Sequence, residues 1–415
     1  MKKATKRLIA AALAALVTTS VCTTFTGCNK DGAEDSTGPI MTLPTGTTGT
    51  GETTSTNGGT TETTSTNQGG TIVQPTKGFN VLTGEPAVND LSYKRPVAIV
   101  VDNNTLSYAN QTGLGDADIL YETLVAPGIT RFLMVTSDYT QIDSVCNIRS
   151  GRDYHLDLAA FHNAVLVCHG GSITDNYDFY SLAKERYGSR WGYVDTMFEK
   201  WFAVDVYGEV YGTIANHGDR VDLKYDTIFK SSAMTALLES DSKFVKEGQG
   251  SLVGYAKESL KFVDYGTTKD MSGASTATNI DLRFKCQGSS NVKSVSYKYD
   301  SATGKYLRNQ DGVAHTDSVT GEQLAFTNVI TLFTNVKAVS TGIANDPTMT
   351  LVDTKGSGVG YYFNGGKVIN IKWTSNGADL ILTDPNGDEL ELATGNTYIG
   401  YLDISYLSGG TSFWN

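Results

Sequence analysis

The stretch RPVAIVVDNN, residues 95–104, decides how the rest of the chain is read. Its unbroken apolar run ends abruptly in Asp102, Asn103 and Asn104, the pattern of a buried strand with a polar tip. ADILYETL (117–124) reads as a strand or short helix, and TRFLMVTSD (130–138) and IDSVCNI (142–148) read as strands. A helix is expected over Tyr154–Phe161, a strand in NAVLVC (163–168), and helices in TDNYDFYSLAKERYG (174–188, with Gly188 as its C-cap) and DTIFKSSAMTALLES (226–240). Strands alternating with helices predict an α/β domain over residues 78–244 with a largely parallel or mixed sheet.

Beyond residue 245 the texture changes. SVSYKYDSATGKYLR (294–308), GYYFNGGKVINIKW (360–373) and DLILTDPNGDELEL (379–392) are alternating runs around glycine-containing turns. Asn-Gly-Gly and Pro-Asn-Gly are strong hairpin signals. Residues 245–415 therefore predict a β-rich C-terminal domain, and the fold class is α+β.

The polar strand tips carry the candidate chemistry. The strand ending near Ile148 runs into Arg149-Ser150-Gly151-Arg152, and NAVLVC runs into His169-Gly170-Gly171-Ser172. Ser150 with Asp153, and Ser172 with Asp175, read as capping boxes that open helices. Arginines are poorly placed at a helix N-terminus, where the dipole already supplies partial positive charge. Ligands of open α/β sheets sit beyond the strand ends, so helix N-termini, a glycine turn and arginines converging there favour an anion. The neutralising group is either a ligand carboxylate or phosphate, or the protein's own Asp102, Asp116, Asp118 or Glu122; Arg131 carries the same ambiguity. His155 and His162 read as surface or packing residues, and the NHGD stretch at Asn216–Asp219 as a turn or a further edge of the pocket.

A net charge of −11 argues against nucleic acid as a partner. No GxSxG, HExxH, Walker or zinc-ligand spacing occurs, so neither a cofactor nor a metal is expected. Of five cysteines, Cys146 and Cys168 lie in strand-like runs, as buried thiols or as a cross-strand disulfide.

The N-terminus points to a compartment. Lys2, Lys3, Lys6 and Arg7 precede an apolar run from Leu8 to Val17, too short to span a bilayer. TFTGC then resembles a lipobox, which implies a signal peptide over residues 1–28, cleavage before Cys28 and diacylation of its sulfur, a membrane anchor. Residues 29–77, rich in Thr, Gly and Ser with ETTSTN repeated, read as a disordered tether. A flexible coil of about 50 residues has a root-mean-square reach of about 40 Å.

RPVAIVVDNN, QTGLGDADILYE, GITRFL, IRSGR and HGGS, in that order, resemble the core motifs of the YerB-like family of bacterial lipoproteins, built on a domain of unknown function. YKYDSATGKYLRNQDGVAHTD, NVI, GVGYYFNGGKVINIKW and LATGNTYI resemble its C-terminal part. The resemblance carries over Asp102, Asn103, Gln111, Gly113, Asp118, Glu122, Arg131, Arg149, Arg152, His169, Gly170 and Ser172, and it implies a location outside the cytoplasm but no reaction. The ligand-binding candidates are thus Asp102, Asn103, Gln111, Glu122, Arg131, Arg149, Ser150, Arg152, His169, Gly170, Gly171 and Ser172. The expected function is a lipid-anchored binding protein for an anionic cell-wall ligand or envelope partner. The alternative is a cell-wall-acting hydrolase or transferase using His169 and a carboxylate as acid and base. Replacing Cys28 by Ala is expected to abolish incorporation of a labelled fatty acid and to release the chain from washed membranes; continued labelling of that variant would refute the anchor.

Overall fold

The computed structural model describes residues 78–91, 94–187, 193–195, 228–232, 234, 256–343, 346–409 and 413–415. All of them lie in one compact unit, Thr60–Asn415. The signal peptide, the tether and the NHGD stretch fall outside the described residues.

The RPVAIVVDNN run forms strand β1, Val97–Asn103, buried along its whole length. ADILYETL is a strand: β2 is Ile119–Ala126, and β3 is Ile129–Thr136. The two are joined at Pro127-Gly128, where Gly128 takes φ +75°. α1 spans Asp153–Phe161, β4 Val165–Cys168 and α2 Phe179–Tyr187. β1 pairs antiparallel with β3 and parallel with β4, and β2 pairs antiparallel with β3. The sheet is therefore mixed.

In the later half, β5 (Asn279–Phe284), β6 (Lys293–Asp300) and β7 (Lys305–Gln310) form an antiparallel meander. β8 is Asn328–Thr334, and β9 (Val336–Ile343) pairs with β10 (Asp346–Val352). β11 (Gly356–Asn364) and β12 (Lys367–Ser375) make the hairpin that Asn-Gly-Gly predicts. Gly365 and Gly366 both take positive φ there, as a type I′ turn requires. The last long strand, β13, is Thr397–Asp403.

β13 does not extend an edge. It pairs parallel with β2 on one side (Thr397 opposite Ile119) and parallel with β8 on the other. Strands from both sides of residue 245 thus share one eleven-stranded sheet, in the order Tyr193–Asp195, β4, β1, β3, β2, β13, β8, β11, β12, Ser275–Thr276, with Leu380–Thr383 also on β12. The fold is strand-rich, mixed α+β.

Side chains of paired residues share a sheet face and successive residues alternate, so the register assigns each face. Asp102, Arg131 and Thr123 lie side by side on one face. α1 covers it: Tyr154 donates its hydroxyl to the Leu124 carbonyl at 2.9 Å, and His155 Nε2 meets Thr123 Oγ1 at 3.3 Å. The β9–β10 hairpin reaches the same face, Thr350 Oγ1 donating to the Leu124 carbonyl at 2.7 Å. Asn103 and Glu122 occupy the opposite face, against β7 and its following turn.

There a closed ring of hydrogen bonds joins the halves. Arg308 Nη2 donates to Glu122 Oε2 at 2.8 Å, and both side chains are fully buried. Arg308 Nη1 also donates to His315 Nδ1, so the other ring nitrogen carries the proton and donates to Gln111 Oε1 at 2.8 Å. Gln111 Nε2 donates to Asn103 Oδ1 at 3.2 Å, and Asn103 Nδ2 returns to Glu122 Oε1 at 3.1 Å. Thr130 and Tyr398 each add a hydroxyl donor to Glu122 at 2.7 Å. A buried carboxylate is tolerable only when paired and fully hydrogen-bonded, and Glu122 meets both conditions.

Several local expectations are corrected. Ser150 does not cap α1: the helix begins at Asp153 with Arg152 as N-cap residue, and the Arg152 N–H donates to His155 Nδ1 at 3.1 Å. Ser172 does not open a helix either. A two-residue hairpin, Ile173–Thr174 with Tyr177–Asp178, intervenes, and Asp178 Oδ1 accepts the Tyr180 N–H at the start of α2. Asp and the turn at Asp175-Asn176 outcompete the serine as helix initiator. Within the 226–240 segment, Ile228–Lys230 is a strand paired with Ser144–Cys146, because its β-branched and aromatic residues complete a two-stranded ladder. Cys146 and Cys168 are buried thiols that form no disulfide with each other, and Cys286 is buried as well. His155 and His162 are buried, not at the surface.

Replacing Arg308 by Met strands the Glu122 carboxylate and its three remaining donors. The expected loss is about 3–5 kcal/mol in urea unfolding. The exposed Arg283 on β5, changed the same way, is expected to lose about 0.5 kcal/mol or less.

Candidate functional site

The candidate residues divide between the two faces. Asn103, Gln111 and Glu122 belong to the closed ring with Arg308 and His315. Asp102, Arg131, Arg149, Ser150, Arg152, His169, Gly170 and Gly171 gather on the α1 side or beside it. The strand tips therefore do not form one ledge.

The arginine side is built by a wedge. β1 parts from β4 after Ile99, and residues 147–151 enter between them. The Asp102 N–H donates to the Asn147 carbonyl at 2.9 Å, and the Arg149 N–H to the Val100 carbonyl at 2.9 Å. On the wedge's other flank, the His169 N–H donates to the Arg149 carbonyl at 2.9 Å and the Gly151 N–H to the Gly170 carbonyl at 2.8 Å. This placement brings three guanidiniums around the Ser150-Gly151 backbone. Arg131 Nη1 donates to the Ser150 carbonyl at 2.6 Å, and Arg152 Nη1 to the Gly151 carbonyl at 3.0 Å. Arg149 Nε lies 3.7 Å from Asp102 Oδ2.

Asp102 faces Arg149 and Arg131. Arg131 and Arg152 are 8% and 5% exposed, yet the Nε–H of each is buried with no hydrogen-bond partner, as is Asp102 Oδ2. Burial, then Arg152 and Arg149, push the Arg131 guanidinium down to about 9, and Asp102 pulls it only partly back. The same field falls on His155, held well below its ordinary value by burial and then by Arg131 and Arg152. Arg149 is the most accessible of the three, its side chain 18% exposed, and is the opening toward solvent.

The other predicted acids are committed elsewhere. Asp118 accepts from Ser137 and Asn80, and Asp116 sits beside Asp317 and Glu322. Nor do the glycines cradle a ligand. A Cβ on Gly171 would lie 2.2 Å from the Phe179 ring, and one on Gly151 2.9 Å from it, so both make room for α2's first residue. Gly170 supplies a left-handed turn at φ +76°. Ser172 gives its carbonyl to the Phe179 N–H at 3.0 Å, and His169 is half-buried. His217 lies outside the described residues. Sequence reasoning named none of Arg308, His315 and Tyr398 as site residues, although all three lie in stretches that resemble the family's C-terminal part; they complete the ring from the far half of the chain.

Comparison with known proteins follows this division of the chain. Residues 82–189 match the N-terminal domain, and residues 282–399 the C-terminal domain, of a protein of unknown function (DUF3048). The "Putative lipoprotein YerB" of Bacillus subtilis (strain 168) is 28% identical over 334 residues, covering 79% of this chain and 88% of that protein. The crystal structure of YerB protein from Bacillus subtilis superposes with a TM-score of 0.58 at 23% identity, covering 79% of this chain and 97% of the other. Among the described residues no helix is long and apolar enough to cross a membrane.

The buried histidines set a pH dependence. His162 accepts or shares hydrogen bonds with Tyr121 and Ser259, and burial, then Lys257, lowers it to about 3. His155 and His315 are likewise held well below their ordinary value, His315 by burial and then by Arg308. Between pH 6.5 and 3 the unfolded chain binds protons that the native state refuses, so stability rises with pH through that window. The thermal midpoint is expected to fall steadily as pH drops from 6.5, and replacing His162 by Gln should flatten that slope.

Proposed function

This chain belongs to the DUF3048 family of proteins of unknown function, and from that premise we propose that it is a lipid-anchored extracytoplasmic binding protein that takes an anionic group at the Arg131–Arg149–Arg152 cluster. A relative named as a lipoprotein supports membrane anchoring, and Cys28 is the residue that would carry the lipid.

The observation that carries the reading is a pair of buried guanidiniums with unmet donors. Arg131 and Arg152 are buried side by side, and the Nε–H of each has no acceptor. An unpaired buried charge costs several kcal/mol, and a fold keeps such an arrangement where a ligand relieves it. A carboxylate or phosphate entering past Arg149 would supply acceptors for these donors and lower the repulsion felt by Arg131. The site reads as a binding centre. Of the two histidines beside it, His155 is buried and held neutral with both ring nitrogens engaged, and His169 is half-buried with its backbone N–H on the Arg149 carbonyl.

Sulfate or phosphate, added at ionic strength matched with chloride, is expected to raise the thermal midpoint saturably. At a hundred times Kd the gain is about 2.7 kcal/mol. Replacing Arg149 by Ala should remove the gain with little change in the midpoint of the unliganded chain. A rise equal to that in chloride alone overturns the anion reading.

A further inference from the structure

A polar cleft lined by none of the three arginines has a volume of about 370 Å³, within the range of small-molecule pockets. One wall comes from residues 103–108 and 127–129, the other from 291–293 and Asp311, so each family-matched part supplies a side. The walls are locked together at Gly128. A Cβ there would lie 2.8 Å from Asn291 Cβ and 3.1 Å from its backbone, so only glycine lets the two segments meet.

The cleft's charged groups neutralise each other. Lys293 Nζ lies 2.9 Å from Asp311 Oδ2, which also accepts the Tyr108 hydroxyl at 2.7 Å. The same ammonium sits 4.1 Å from the centre of the Tyr108 ring, and the lysine side chain is only 4% exposed. Asp311 is presented by the Asp311-Gly312 turn that follows β7; its φ of +48° is a conformation that Asp tolerates and most residues do not. Its side chain is 37% exposed, so the carboxylate faces the opening. Asn104, Thr105 and Asn291 add amide and hydroxyl groups, and Ile129 and Val292 add apolar surface.

We infer that this cleft binds a neutral saccharide. A free anion would meet Asp311 and a free cation would meet Lys293, so a ligand of either charge gains nothing from a pair already closed. A vicinal diol suits it: one hydroxyl donates to the carboxylate while its neighbour accepts from the ammonium. The side-chain amides can take further hydroxyl or acetamido groups, and the apolar wall suits the C–H face of a pyranose. Burial lowers the Lys293 ammonium to about 8 against the pull of Asp311, so at neutral pH it remains a charged donor.

The test is calorimetric titration of the full-length chain in detergent micelles with N,N′-diacetylchitobiose, with glycine as a zwitterionic control. Saturable binding of one disaccharide is expected. The affinity should fall about tenfold or more in Asp311→Asn and severalfold in Tyr108→Phe, and stay within about twofold in Arg149→Ala. Asn keeps the left-handed turn but leaves the buried Lys293 ammonium without its carboxylate, so Asp311→Asn should melt below the parent yet still unfold cooperatively, while Phe keeps the ring under Lys293 and Tyr108→Phe should melt close to the parent. No saturable heat with the disaccharide overturns the assignment. So does unchanged affinity in a cooperatively unfolding Asp311→Asn, or tighter binding of glycine.

Discussion

The ion pair between Glu122 and Arg308 is the constraint on which the rest depends. Each charge sits at the middle of a strand, out of reach of water, and each is the other's counter-charge. The consequences of the pair spread along both strands. Glu122 requires Asn103 and Thr130 as donors, which fixes how β1 and β3 present their ends. Arg308 requires His315 as an acceptor, hence neutral, and a neutral His315 then needs Gln111. A substitution anywhere in the ring leaves a buried polar atom unmet. The ring is therefore a specificity device: it admits one register between the halves more than it adds raw stability.

The same strands treat their two faces in opposite ways. On the meander side Glu122 pairs with Arg308 inside a ring of hydrogen bonds, with only the Arg308 Nε–H left without an acceptor. On the α1 side, one residue over along β1, β3 and β2, Arg131 is crowded by Arg152 and Arg149, with Asp102 beside them. Alternation along a strand makes this division cheap, because neighbouring positions in sequence are separated by the thickness of the sheet. Asp102 and Asn103 are adjacent in sequence and serve two unrelated environments.

Much of this was legible in the sequence, and the failures have physical causes. The apolar run of β1, the Asn-Gly-Gly hairpin and the helix at Tyr154 follow from short-range pattern, and they stand. The clustering of Arg149 and Arg152 around Ser150-Gly151 was also visible, since these residues are close in the chain. What pattern could not supply was pairing across long separations. Arg308 and His315 lie in a hairpin with ordinary alternation, and nothing local marks them as partners of Glu122 and Gln111. TYIGYLD, at the end of the chain, gives no sign that it belongs at the centre of the sheet. Ser150 and Ser172 looked like caps because their spacing to an acid is right; the backbone instead needed their carbonyls, for Arg131 and for Phe179.

The central position of β13 has a consequence for how the molecule is made. A ribosome delivers β2 long before β13, yet these two strands are direct neighbours. Until β13 arrives, β2 exposes an unsatisfied edge and the first half holds an incomplete sheet, a hazard for mispairing with other chains. Closing the sheet must therefore wait on emergence of β13, and the long loop to be closed makes it slow. The arrangement is a built-in proofreading step: only a chain that carries β13 can close its sheet.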